Sequence, residues 1–215
     1  MEKQKISAVI LAAGQSTRMG QTKQLLKLGD KCILEHVIDQ LLKQKFDQII
    51  VVLGHEAEKI RKSIPKKHTK HLYYLFNHQY RLGQSTSFLT AIRNVLPSVN
   101  SAMFFLGDQP FIKEITIETL LKKGNKMMQV DGSPFVIRPY HHDLPGHPIF
   151  IGNFRKCDFS TVVGDEGGRS LFKSTKKEAI LIEDPGILFD IDTPADYLEA
   201  LRKVERLKRV SYGGY

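Results

Sequence analysis

Tryptophan is absent from this 215-residue chain, and it holds only two cysteines, Cys32 and Cys157. Two thiols so far apart exclude a disulfide framework and a cysteine-rich zinc cluster, and they read as reduced thiols of a cytosolic protein. No window approaches eighteen consecutive apolar residues, which argues against a membrane-spanning helix. The first apolar run, residues 6–13, has five residues before it and turns into a polar loop, so no secretion signal is expected and the reading is cytoplasmic. Internal repeats and low-complexity tracts are also lacking. The composition present, 41% hydrophobic and 26% charged, is that of an ordinary globular protein able to bury a core. One domain over 1–210 with a frayed tail at 211–215 is expected.

Acid is in short supply: 32 Lys+Arg stand against 23 Asp+Glu, a formal charge of +9. The excess is local. Residues 59–70 hold six cations and no acid, and residues 202–209 hold five cations and Glu205, so the remainder of the chain sums to −1. These segments read as solvated faces of a helix-and-loop and of a terminal helix. No aromatic-and-basic RNA motif, helix-turn-helix or zinc finger accompanies them, so nucleic acid is not an expected partner.

Short apolar runs alternate with segments of helical period, the pattern of βαβ units and a largely parallel α/β sheet. Strands are expected at 6–11, 48–53, 72–76, 102–106, 135–137, 149–151 and 179–182. Helices are expected around Ile33–Leu42, from Ser85 to just before Pro97, over 113–123 with Gly124 as the stop, and after the Thr193 cap. The stretch 131–168, rich in Pro, Gly and His, reads as an irregular, partly antiparallel insertion at the sheet edge.

Three strand ends carry chemistry. After the first strand comes Leu11-Ala12-Ala13-Gly14, then Arg18 and Lys23. Small side chains there let a ligand approach the backbone, and two cations suit phosphate oxygens. The loop is neither G-x-G-x-x-G nor a P-loop. After the fourth strand, Asp108 is placed at the sheet's carboxyl edge as either a helix N-cap or a metal ligand. Asp190 and Asp192 share one side of an extended segment, with only Asp192 against the turn; its alternatives are a ligand or the cap of the last helix. Before the second central helix, Ser85 and Thr86 either cap that helix or face a ligand with Asn77 and Gly83. His141, His142 and His147 lack a second ligand cluster at metal-binding spacing and read as loop histidines.

The string LAAGxSxRMGxxK, residues 11–23, resembles the signature of the MobA-like nucleotidyltransferases, enzymes that move a nucleoside monophosphate from an NTP onto a phosphorylated acceptor. It is most similar to their molybdopterin cytidylyltransferase branch, which includes a purine-catabolism protein. The resemblance implies a three-layer Rossmann-like fold and CMP transfer from CTP to a molybdopterin-type cofactor, with a molybdenum hydroxylase as recipient. Ala13 then favours CTP over GTP. It also implies Mg²⁺ held by Asp108 and Asp192, catalysis by Arg18, Lys23 and Asp108, and nucleotide contacts from residues 11–14, Arg18, Lys23, Asn77, Gly83 and Ser85. Gly146-His147-Pro148 and Gly164-Asp165-Glu166-Gly167-Gly168-Arg169 resemble the branch's acceptor motifs, which gives Gly146, His147, Asp165 and Arg169 the acceptor side. Pro145 stands where a basic residue is common, and Gly168 where Ala is usual. The alternatives are a sugar or polyol phosphate acceptor, GTP as donor, or a cofactor-delivery protein without turnover. Against delivery alone stands the retention of Arg18, Lys23, Asp108 and Asp192 together.

Overall fold

A computed structural model describes residues 4–67, 69–130, 132–168, 171 and 175–212. The strands are β1 (Ile6–Ala12), β2 (Lys27–Leu28), β3 (Lys31–Cys32), β4 (Gln48–Leu53), β5 (Leu72–Phe76), β6 (Ser101–Leu106), β7 (Phe135–His141), β8 (Leu144–Pro145), β9 (Ile149–Gly152) and β10 (Lys176–Leu181). The helices are α1 (Ile33–Leu42), α2 (Ala57–Ser63), α3 (Gln84–Arg93), α4 (Glu114–Val130) and α5 (Pro194–Tyr212). The main sheet runs β10-β7-β9-β6-β1-β4-β5, with β8 paired to β7. Of the strands along that path, β9 alone is antiparallel to its neighbours.

Strand alternation builds the layers. Ile6, Ala8, Ile10 and Ala12 of β1, Ile49, Val51 and Leu53 of β4, and Met103 and Phe105 of β6 enter the core that holds α1 and α4. Their alternating partners Val9, Ile50, Val52, Ala102 and Phe104 enter the core that holds Phe88, Ala91 and Ile92 of α3. Side chains of successive strand residues point to opposite faces, so runs apolar at every position need a helix layer on each side. A third cluster joins Ala200 of α5 to Met19, Leu28, Ile33 and Ile191.

The seven expected strands and four expected helices are present; Gln48–Leu53, Leu72–Phe76 and Ile33–Leu42 have the expected limits and the others shift. Helix α4 does not stop at Gly124 but runs through it to Val130. A Cβ at Gly124 would lie 2.4 Å from the Phe150 ring, so this glycine is a packing contact and not a C-terminal stop. Strand β10 begins three residues earlier than expected, and β7 extends to His141. The insertion's antiparallel pairing is there, but β7 and β9 lie inside the sheet and β10 forms its edge. The β2–β3 hairpin and β8 are additional. Helix α5 continues to Tyr212, two residues into the segment read as a tail, and 213–215 lie outside the described residues. No helix among the described residues is long and apolar enough to cross a membrane.

Candidate active site

A cleft of about 700 Å³ opens at the carboxyl ends of β1 and β6. One wall is the loop after β1. The buried Gln24 braces it, donating from Nε2 to the carbonyls of Ala12 (3.1 Å) and Gly14 (3.3 Å) and accepting from the Ser16 hydroxyl (3.3 Å). Met19 is buried in the cluster with Ile191 and Ala200, which anchors the loop beside α5. Leu11, Ala12, Ala13, Gly14, Arg18 and Lys23 all line the cleft. At the base of this wall β1 and β6 approach so closely that a Cβ on Gly107 would sit 2.7 Å from Ala12 Cβ, and Gly107 N donates to Leu11 O at 2.9 Å.

Two carboxylates and two cations converge there. Lys23 Nζ pairs with Asp108 and also with Asp192 Oδ1 at 2.6 Å, while Arg18 Nη2 donates to Asp192 Oδ2 at 2.7 Å. Burial opposes the charge on Lys23, but the Asp108 carboxylate and the bonds to Asp108 and Asp192 outweigh it and raise the ammonium above its ordinary value. Asp108 Oδ1 is buried with no hydrogen-bond partner. Neither carboxylate caps a helix. Thr193 and Asp196 form a reciprocal box at the start of α5: Asp196 Oδ2 accepts from Thr193 N at 2.8 Å, and Thr193 Oγ1 accepts from Asp196 N at 3.3 Å. Asp192 is thereby left to the cleft.

Asp190, passed over in the sequence, also lines the cleft. Burial, then the nearby Asp108 carboxylate, push its carboxyl up to about 6, and Gln109 Nε2 donates to it at 2.5 Å. The segments carrying these aspartates lie side by side through Ile191 N to Asp108 O, 3.1 Å.

The remaining expected site residues divide. Gly83, Gly146, His147 and Asp165 line the cleft. Asn77 and Ser85 do not line it; both are buried beneath its wall. Asn77 Nδ2 donates to the hydroxyls of Thr86 (2.8 Å) and Ser87 (2.9 Å), tying the end of β5 to the first turn of α3. The Ser85 hydroxyl donates to Gly167 O at 3.2 Å, so it fastens the loop opposite α3 instead of capping the helix. Arg169 lies outside the described residues. Of the loop histidines, His141 Nδ1 shares a hydrogen bond with Ile182 O at 3.1 Å. Sequence reasoning missed Gln24, Arg138 and an apolar floor of Phe88, Phe104, Ile149 and Ile151, all lining the cleft. The floor residues were legible only as core-forming strand and helix positions.

A small-residue loop with phosphate-suited cations, facing two carboxylates at the carboxyl edge of a parallel sheet, defines a nucleotide-handling α/β transferase. The chain belongs to the MobA-like NTP transferase domain family, whose model matches residues 8–179, and it is a nucleotidyltransferase. It is 29% identical over 199 residues to the molybdenum cofactor cytidylyltransferase of Escherichia coli (strain K12), covering 91% of this chain and 95% of that one. It is 26% identical over 210 residues to the bifunctional protein GlmU of Listeria monocytogenes serotype 4a (strain HCC23), covering 97% of this chain but 37% of that protein. A solved structure of Rv0371c from Mycobacterium tuberculosis H37Rv, in complex with manganese, superposes with a TM-score of 0.69 at 26% identity, covering 94% of this chain and 100% of that one.

Proposed function

We propose that this nucleotidyltransferase transfers CMP from CTP to a molybdopterin-type acceptor and releases pyrophosphate. The observation that carries the chemistry is the convergence of Asp108 and Asp192 on Lys23 beside the small-residue loop. The acceptor reading is supported by similarity along nearly the whole chain to a molybdenum cofactor cytidylyltransferase. It is supported too by the apolar floor, which suits the face of a flat heterocycle better than a polyol.

The chain's residues divide the work. The loop 11–14 lets the nucleotide approach the backbone, and Arg18 and Lys23 bind the β and γ phosphates as the ligand draws them from their carboxylate partners. An acceptor phosphate oxygen forms a bond to the α-phosphorus while the α–β phosphoanhydride breaks, and its electron pair leaves with pyrophosphate. No side chain need take a proton, because the attacking phosphate is already anionic. Asp108 and Asp192 fit a divalent cation: one buried carboxylate oxygen of Asp108 lacks a partner, and both carboxylates already hold a cation in Lys23. Mg²⁺ takes a few carboxylates and otherwise phosphate oxygens and water, and when bound it would neutralise charge at the α-phosphate. A homologue was solved with manganese.

The test is pyrophosphate release from a panel of NTPs against molybdopterin. Turnover with CTP well above GTP, abolished by a chelator and restored by Mg²⁺, is the expected result. Turnover of sugar phosphates in place of molybdopterin overturns the acceptor, and tight cofactor binding without NTP consumption leaves a delivery protein. Hand-off of the product to a molybdenum hydroxylase belongs to the same proposal.

A further inference from the structure

The main sheet ends differently on its two sides. Strand β10 forms one edge and β5 the other, and each pairs with one neighbour only, β7 and β4 respectively. An open edge offers its outward N–H and C=O groups to any further strand, and proteins commonly protect such edges with charged side chains. The β10 edge is protected in that way, since its first three residues are Lys176, Lys177 and Glu178. Strand β5 reads Leu-Tyr-Tyr-Leu-Phe and contains no charge, proline or glycine. Tyr73 and Phe76 are exposed on it, at 42% and 37%.

The ladder fixes which backbone groups are free. Ile49 N donates to His71 O at 2.7 Å and Asn77 N to Leu53 O at 2.7 Å, so the odd-numbered residues of this stretch turn their N–H and C=O groups to β4. Backbone groups alternate in direction along a strand, so those of Leu72, Tyr74 and Phe76 point out from the sheet. Side chains alternate as well: Leu72 and Tyr74 pack on the α1 side, and Leu75 on the α3 side.

Positive charge surrounds this edge. Helix α2 reaches it, with Arg61 Cζ 4.3 Å from the centre of the Tyr74 ring. Lys67 is turned inward to Glu35 and Asp39, Lys59 pairs with Glu56, and Lys62 with Glu58. Arg61, Lys66 and Lys70 have no acidic partner among the described residues, and Lys66 and Lys70 are exposed in the segment that leads into the strand. Those charges select the occupant. A second copy pairing edge to edge would bring like charges together, and a nucleic acid would leave the backbone ladder without partners. An extended peptide carrying Asp or Glu meets both features, because an added strand supplies main-chain hydrogen bonds while its alternate side chains supply specificity.

We infer that the free edge of β5 is a docking site for an acidic, extended segment of a partner protein, which joins the sheet as a further strand. Its acidic side chains face Arg61 on the α2 side, and its apolar ones cover Tyr73 on the other. The chain runs on from β5 through Asn77, bonded to Thr86 and Ser87, to Tyr80 and Arg81, which line the cleft. A segment docked on β5 therefore ends beside the cleft, whatever reaction proceeds there.

The probe is a fluorescein-labelled peptide of alternating Glu and Val, with its Lys-Val counterpart as control. Fluorescence anisotropy with the full chain should show binding of the Glu peptide that weakens as salt rises, and no binding of the Lys peptide. Amide exchange read by NMR locates it: the N–H groups of Leu72, Tyr74 and Phe76 slow on binding, while those of Tyr73 and Leu75, already bonded to β4, change little. Phe76→Pro removes one outward donor and weakens binding about tenfold. Arg61→Gln, Lys66→Gln and Lys70→Gln together weaken it by a similar factor and flatten the salt dependence; this variant alters no strand backbone and decides the matter if the proline variant does not fold. No binding at millimolar Glu peptide, equal binding of both peptides, or protection confined to residues away from β5 would overturn the inference. Slowed exchange at Leu72, Tyr74 and Phe76 on raising protein concentration alone, with faster sedimentation, assigns the edge to a second copy. Displacement of the peptide by an oligothymidylate that leaves those amides unprotected assigns the cations to nucleic acid. Either of these two results overturns docking of an acidic partner.

Discussion

Lys23 is held between Asp108 and Asp192, and the three partly buried charges compensate one another. Removing one partner leaves a partly buried charge uncompensated, so substitutions here act on electrostatics before they act on packing. Asp108→Ala is expected to lower the rate of pyrophosphate release about a hundredfold or more, the scale of losing one preorganised electrostatic group. Thermal unfolding of the same variant separates that loss from misfolding. At this scale the sequence was legible where a motif stood at a strand end: residues 11–14, Arg18, Lys23, Asp108 and Asp192 lie where the pattern put them. Asn77 and Ser85 were legible as polar residues of the right turn but not in direction, because a hydroxyl or amide beside a helix start can face a ligand or bolt two segments together. Here both face inward. Gln24 and Arg138 belong to no local pattern, since each acts on carbonyls that only the fold brings near.

Among the elements, α4 shows how tertiary contact overrides a local signal. Glycine after a run of helical period usually marks a helix end. Gly124 instead lies mid-helix, where Phe150 of β9 occupies the space a side chain would need. Alanine is the better helix former by about 1 kcal/mol, so propensity alone predicts that Gly124→Ala stabilises. The 2.4 Å approach of a Cβ to the Phe150 ring predicts the opposite, a net destabilisation of about 1–3 kcal/mol from overpacking. Urea unfolding checks the sign, and pairing Gly124→Ala with Phe150→Leu should return part of the loss. The strands were more legible than the helix ends, because two-sided burial demands an apolar run whatever the neighbour's identity. Strand β8, two residues long, contains too few residues for any period to show.

Over the whole molecule the basic runs are mostly solvated, as the sequence implied, with Lys59, Lys62, Lys66, Lys70, Arg202, Arg206 and Lys208 exposed, but part of the charge is paired inward. Lys67, within the basic run 59–70, pairs with Glu35 at 2.9 Å and Asp39 at 2.7 Å, and Lys31 pairs with Asp39 at 2.7 Å. This network ties the β2–β3 hairpin, α1 and the segment after α2 together. Lys203 of the other basic run lies 3.7 Å from the centre of the Phe189 ring. Burial pushes the Asp39 carboxyl up, but the hydrogen bonds from Lys31 and Lys67 outweigh it and hold the group below its ordinary 3.8. Its contribution to stability is therefore complete above that ordinary value and is lost as pH falls through the lower folded value. Burial works against the Lys67 charge, and Asp39 and Glu35 outweigh it, raising the ammonium above 10.5. That contribution is complete below 10.5 and is lost as pH rises through the higher folded value. Asp39→Asn should lower stability near neutrality and flatten the acid limb of a urea-unfolding curve measured against pH. An unchanged acid limb would show that the pairing contributes nothing.

By itself the sequence determined the α/β alternation, the order of the strands along the chain and the strand-end motifs that line the cleft. Those follow from periodicity and from small or charged residues at a turn, both of which are local properties. Only the tertiary structure decided that β7 and β9 lie within the sheet, that Asn77 and Ser85 brace the wall, and that Arg138 enters the cleft. It also decided that part of the basic excess is neutralised by acids on other elements. The reason is one of range and direction: Ser85 meets Gly167 and Lys67 meets Glu35 only because the packed layers bring distant segments together, and for near neighbours such as Asn77 and Thr86 the packing decides which way the side chain turns.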